Sequence, residues 1–159
     1  MIRVLLRAPV LTVSGYGVHS RQIFKWLESR DDVELYVQPL NWGNTTWMIN
    51  PDMEGGLVQR IMDKSKDFSG KYDLSFQVQL PDEWDPTIAI KNVGISAVVE
   101  TDRCNPKWIE CMDKMDSVIV PTEHIKSVIE NTGFTGTPVH VVPEAYIEQI
   151  DNPEIEPLD

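Results

Sequence analysis

Basic residues are scarce in this chain of 159 residues: 14 Lys and Arg stand against 25 Asp and Glu, a formal charge of −11. Nucleic-acid binders carry a basic stripe. The nearest approach to one, between Lys64 and Lys71, is diluted by Asp67. Nucleic acid and anionic membrane are therefore not expected partners. Two cysteines, Cys104 and Cys111, are too few for a disulfide framework, and a reducing, cytoplasmic setting is expected. No apolar run reaches the roughly 18 residues that a membrane helix needs. The first residues enter a strand pattern at once, without a charged-then-apolar leader, so the sequon Asn44-Thr45-Thr46 reads as chance. Three scattered histidines and no zinc-ligand spacing leave no metal site expected: His124 reads as surface, His140 as the polar side of a strand and Cys111 as core. There is no Gly-Lys-Ser or Gly-Lys-Thr and no Gly-x-Ser-x-Gly, which removes a P-loop and the nucleophile elbow.

What is present is the composition of one soluble globular domain, 42% hydrophobic and 25% charged. Short apolar runs at 2–6, 33–37, 73–78, 93–99, 117–120 and 139–142 read as strands, and helical patterns fall between them. The first helix is expected from about Val18, with Ile23, Phe24 and Leu27 on one side. A second lies within 51–67 behind Gly55-Gly56. A third starts at the cap Asn105 with Pro106 in its first position. A fourth is capped by Thr122 and stops at Gly133. The alternation predicts an α/β fold, a doubly wound, mostly parallel six-stranded sheet with helices on both faces. Residues 1–143 form the expected domain, and 144–159, acidic and containing prolines, read as a tail or linker. In a 3-2-1-4-5 strand order, the loops after the first and fourth strands would flank the switch point where such sheets bind ligands.

Those two loops hold the candidate chemistry. Ser14-Gly15-Tyr16-Gly17-Val18-His19 joins a strand to a helix, and glycine with a helix N-terminus suits an anionic or heavily hydroxylated ligand. The simpler alternative is that Gly15 and Gly17 only shape a turn. Dinucleotide binding is rejected: Ser20 stands where a third glycine belongs, the loop from Arg7 is too long, and Val37-Gln38 offers no acid for a ribose. Glu100 and Asp102, two apart at a strand end, pair as candidate catalytic carboxylates, one a general base toward a hydroxyl; otherwise they are a solvated loop with Asp102 beside Arg103. Trp42 and Trp47, near Asn41, suit sugar stacking, a partner surface or core packing alike. Thr122 joins Asn41 among the candidate sugar or partner contacts, and Trp84 reads as a loop anchor.

With these residues in place, the chain resembles the N-terminal half of GT-B glycosyltransferases of the family 4 type. Three regions carry the resemblance. They are Ser14-Gly15-Tyr16-Gly17 with Ser20-Arg21-Gln22-Ile23; Val99-Glu100-Thr101-Asp102 through Pro106-Lys107-Trp108; and Asp116-Ser117-Val118-Ile119-Val120-Pro121-Thr122 with Val139-His140-Val141-Val142-Pro143. The chain departs from the family at Pro143-Glu144-Ala145, where Pro-x-Gly is usual. The resemblance implies an acceptor-binding half, with Gly15 to His19 near the donor diphosphate and Glu100 or Asp102 near an acceptor hydroxyl. It implies a nucleotide-sugar donor for the complete enzyme, held by a second domain in the same or another chain, and no cofactor in this one. It also implies no turnover from this half alone. Apolar surface left uncovered would favour a homodimer. Two further readings stay open: an interaction module docking a basic partner, and a small hydrolase using Glu100 and Asp102.

Overall fold

The computed structural model describes residues 1–133 and 135–146. Its elements alternate: β1 (Ile2–Ala8), α1 (Gly15–Glu28), β2 (Val33–Pro39), α2 (Met53–Lys64), β3 (Tyr72–Val78), a 3-10 turn (Pro81–Glu83), β4 (Ala89–Ile95), α3 (Pro106–Met112), β5 (Ser117–Val120), α4 (Glu123–Thr132) and β6 (Val139–Val141). All strand pairs are parallel, in the order β2-β1-β3-β4-β5-β6. Parallel sheets are stable when both faces are covered, and two hydrophobic cores do this. On one face Val4, Leu6 and Ala8 pack with Phe24 and Leu27 of α1 and Leu57, Val58 and Ile61 of α2. On the other, Val118 and Val120 pack with Met112 of α3 and Ile125, Val128 and Ile129 of α4. The fold is thus α/β and doubly wound, as the alternation predicts.

Local signals account for the helix ends. Asn105 accepts the Lys107 amide at 3.0 Å, with Pro106 in the first turn. Thr122 Oγ1 accepts the Ile125 amide at 3.2 Å, and α4 stops at Gly133. In α2 the residues Glu54, Gly55 and Gly56 are left-handed, with φ of 49°, 65° and 79°, so the regular helix begins behind the glycine pair.

The strand order differs from the expected 3-2-1-4-5. The third strand lies beside β1 in the sheet's interior, so the switch falls between β1 and β3 and not between β1 and β4. Hydrophobic periodicity reports which face a strand buries, not which neighbour it pairs with. The fourth strand also begins and ends earlier than 93–99. Asn92 is buried and held inside β4, its amide donating to Asp116 Oδ2 at 2.9 Å and its side chain to the Pro86 carbonyl at 2.8 Å. Val98 instead lies past the strand with φ of 54°, a costly setting for a β-branched residue. The first helix starts at Gly15, not near Val18, because Ser14 caps it. Of the tail expected at 144–159, residues 147–159 lie outside the described residues. The chain leaving β6 is tied to α1, where Gln22 Nε2 donates to the Ala145 carbonyl at 2.8 Å.

Candidate functional site

The strand–helix junction is built from the loop 9–14. Arg21, buried on α1, donates to the carbonyls of Val10 at 3.1 Å and Thr12 at 3.0 Å, and its Nε meets Glu54 at 2.8 Å. Ser14 Oγ then accepts the Gly17 amide at 3.0 Å, fixing the first turn of α1. The amides of Gly15 and Tyr16 precede the intrahelical ladder, as the first amides of any helix do. Gly17 is buried against the Thr12 backbone, where a Cβ would collide with the carbonyl oxygen; Gly15 faces open space. The two glycines therefore belong to a helical turn and not to a loop, and Gly17 serves packing.

Tyr16 joins three segments. Its ring stacks on Trp42 with centroids 3.9 Å apart, and its hydroxyl accepts the Ala97 amide at 2.9 Å and lies 3.4 Å from Ser96 Oγ. The turn after β1 thus reaches across β3 to the carboxyl end of β4. Around this bridge lies a cavity of about 230 Å³ over the carboxyl ends of β3 to β6. Gly15, Tyr16 and His19 form its α1 side, Ser96 and Ala97 its β4 side, and Glu144 part of its rim. Val78, Ile95, Ile119 and Val142 supply apolar lining. His19 Nδ1 is buried there without a hydrogen-bond partner, as is Gln22 Oε1 one turn along.

The other candidates fall outside this space. Glu100 and Asp102 are exposed in the loop after β4 and do not line the cavity; the Asp102 carbonyl accepts Asn131 Nδ2 at 3.3 Å. Asn41 is exposed, and Thr122 caps α4 beside Pro121, which does line the cavity. Trp47 is half-buried against the first core and bridges to Thr12, with the Met48 amide donating to Leu11 at 2.7 Å. The loop after β2 is thereby zipped to the loop after β1, and this positions Trp42 on Tyr16.

The β1/β3 switch point itself is filled. There Arg7 donates to Gln79 Oε1 at 2.6 Å and to the Glu83 carbonyl at 2.8 Å. Burial pushes its guanidinium pKa down, while Asp85 and Glu83 pull it up. The open space is consequently displaced toward β4 and β5. Sequence reasoning missed Ser96, Ile119, Val142 and Glu144 as lining residues. Ile119 and Val142 lie in segments quoted for the resemblance, whereas Glu144 falls where the chain departs from the family pattern. Among the described residues no cluster of His, Cys, Asp and Glu has metal-binding geometry, and no helix is long and apolar enough to cross a membrane. Neither a protein-family model nor a curated protein matches the chain.

Proposed function

We propose that this chain is the acceptor-side domain of a GT-B glycosyltransferase of the family 4 kind, with the donor-binding domain supplied outside these residues. One observation carries the reading most: two of the three stretches that bear the resemblance, the first turn of α1 and the ends of β5 and β6, meet around one open cavity. In this reading the acceptor enters the cavity. The amides of Gly15 and Tyr16 at its mouth, with the positive end of the α1 dipole, face the donor diphosphate. Glu100 and Asp102 stand outside the cavity in the described conformation, three to five residues beyond the Ala97 amide that Tyr16 holds. They would serve the acceptor hydroxyl only after the loop after β4 moves.

Holding an acceptor without the donor does not assemble the transition state, so the purified chain is expected to transfer no sugar. Titration of the labelled chain with UDP-glucose, GDP-mannose and ADP-glucose, followed by amide NMR, tests the reading. Weak shifts confined to Gly15, Tyr16 and Gly17 are the expected result. Spectra unmoved by all three donors would overturn it. A docking module would want an exposed Trp42–Trp47 loop and a filled cleft, and a hydrolase an enclosed carboxylate pair; both tryptophans are half-buried, the cavity is open, and both acids are exposed.

A further inference from the structure

We infer that Glu100, and not Asp102, is the acid that serves the cavity, carried there by an arm that pivots at Val98 and is latched by Tyr16. This rests on the acceptor-side reading above and separates the roles of its two acids. The arm hangs between two anchors. At the cavity end, the Ala97 amide donates to the Tyr16 hydroxyl at 2.9 Å and the Val98 amide to Ser96 Oγ at 3.2 Å. At the other end, the Cys104 amide donates to Thr132 Oγ1 at 2.9 Å, and Asn131 Nδ2 to the Asp102 carbonyl at 3.3 Å. Helix α4 begins behind Pro121 on the cavity wall and runs 10 residues, about 15 Å, to Thr132. Asp102 is thus moored at the far end of that helix. Glu100 follows Ala97 so closely that the chain holds it within about 10 Å of the cavity wall. Among the described residues its carboxylate has no hydrogen bond or ion pair.

The backbone does not favour the arm's described position. Val98 has φ of 54° and is buried in the second core. A β-branched residue is strained there, and such strain persists only where the surroundings over-determine it. Those surroundings are the two amide bonds at Tyr16 and Ser96 and the packing of the Val98 side chain. Tyr16 is itself held by its stack on Trp42. Returning Val98 to a negative φ re-aims the backbone beyond it. Glu100, two residues on, swings with that turn, while the α4 anchor restrains Asp102. At the cavity, the Glu100 carboxylate is the group placed to take the proton of an acceptor hydroxyl. Val98 and Tyr16 are positioning residues for it.

Disulfide trapping tests the arm. In a chain carrying Cys104→Ser and Cys111→Ser, Gly15→Cys is combined with Glu100→Cys or, separately, with Asp102→Cys, and each is exposed to oxidised glutathione. Gly15 lines the cavity and faces open space, and a disulfide forms only when the two Cα atoms come within about 7 Å. The Glu100 pair is expected to cross-link, and the Asp102 pair at least about tenfold more slowly. Tyr16→Phe keeps the stack and removes the latch, so it should speed the Glu100 cross-link about fivefold, the effect of losing one hydrogen bond. Ser96→Ala should do the same from the neighbouring amide. No cross-link at position 100, equal rates for the two pairs, or a Glu100 rate unmoved by both latch variants would overturn the inference. The nucleotide-sugar footprint at Gly15 to Gly17 reports separately. A footprint without the cross-link removes the inference alone, and the cross-link without a footprint removes the acceptor-domain reading while leaving the pivoting arm in place.

Discussion

Gly15 and Gly17 are two residues apart and answer to different constraints. A methyl group at Gly17 meets the Thr12 carbonyl, which is backbone fixed by Arg21; a methyl at Gly15 meets nothing. Gly17→Ala is expected to lower unfolding free energy by about 2 kcal/mol, the scale of overpacking a rigid site. Gly15→Ala should stay within about 0.5 kcal/mol of the parent. Urea unfolding of the two variants measures the contrast, and equal losses would refute it. The sequence marks both glycines alike, because a Gly-x-Gly pattern does not say which residue touches backbone. Tyr16 was legible as a site residue by position only; its stack on Trp42 joins segments 26 residues apart that no local pattern links.

At the level of elements, the buried Arg21 couples the start of α2 to the turn after β1. Glu54 pairs with Arg21 at 2.8 Å and Lys25 at 3.6 Å while holding φ of 49°. Glu54→Ala keeps the left-handed strain and strands a buried cation, so a loss of about 2 kcal/mol is expected, less than for a fully buried pair because Glu54 is partly exposed. Glu54→Gly removes the same ion pair but makes that backbone conformation easy, and should recover about 1 kcal/mol relative to Glu54→Ala. Thermal unfolding of the pair gives the answer; a glycine variant no better than alanine would mean the strain is absent.

The β4–β5 pairing carries a pH signature. Asp116 accepts Lys91 Nζ at 2.8 Å and the Asn92 amide at 2.9 Å. The Lys91 bond, then the Asn92 amide, hold its carboxyl pKa below the ordinary value. A depressed carboxyl contributes stability that is present above its unfolded pKa and lost as pH falls through the folded one. Asp116→Asn should therefore cost no more than about 1 kcal/mol at neutral pH, given its exposure, with the difference from the parent shrinking below about pH 4. A difference that stays constant down to pH 2 would show that the charge contributes nothing.

Caps, breakers and apolar runs made most elements readable: the side chains of Asn105 and Thr122 cap helix starts within three residues, and Gly133 marks a helix end through its backbone. The β4 boundary was hidden because its interior holds Lys91 and Asn92, polar residues whose partners Asp116 and Pro86 come from elsewhere in the chain. Val98 and Val99 extend the apolar run beyond the point where pairing stops.

For the whole molecule, a formal charge of −11 implies self-repulsion in the compact state. Raising sodium chloride from about 0.02 M to about 0.3 M shortens the screening length several-fold, and Tm should rise. A fall would mean that ion pairs such as Arg21–Glu54 outweigh the repulsion. Strand order is settled at this scale and at no smaller one. Leu74, Phe76 and Val78 mark the buried face of β3 equally well at an edge or in the interior. Its place beside β1 follows from pairing Val4 with Leu74 and Phe76 with Val93 at once. The expected strand order placed the first and fourth strands side by side; β3 lies between them, yet the loops after both still meet around the cavity, because Tyr16 reaches across β3 to the Ala97 amide.

The tie between Gln22 and Ala145 gives that opening a mechanical property. Its rim is drawn from both extremities of the described chain, the first helix on one side and the strap after the last strand on the other. A displacement of the strap at Ala145 would be felt at α1 through that amide-to-carbonyl bond, one turn from His19 and so at the cavity's helical wall.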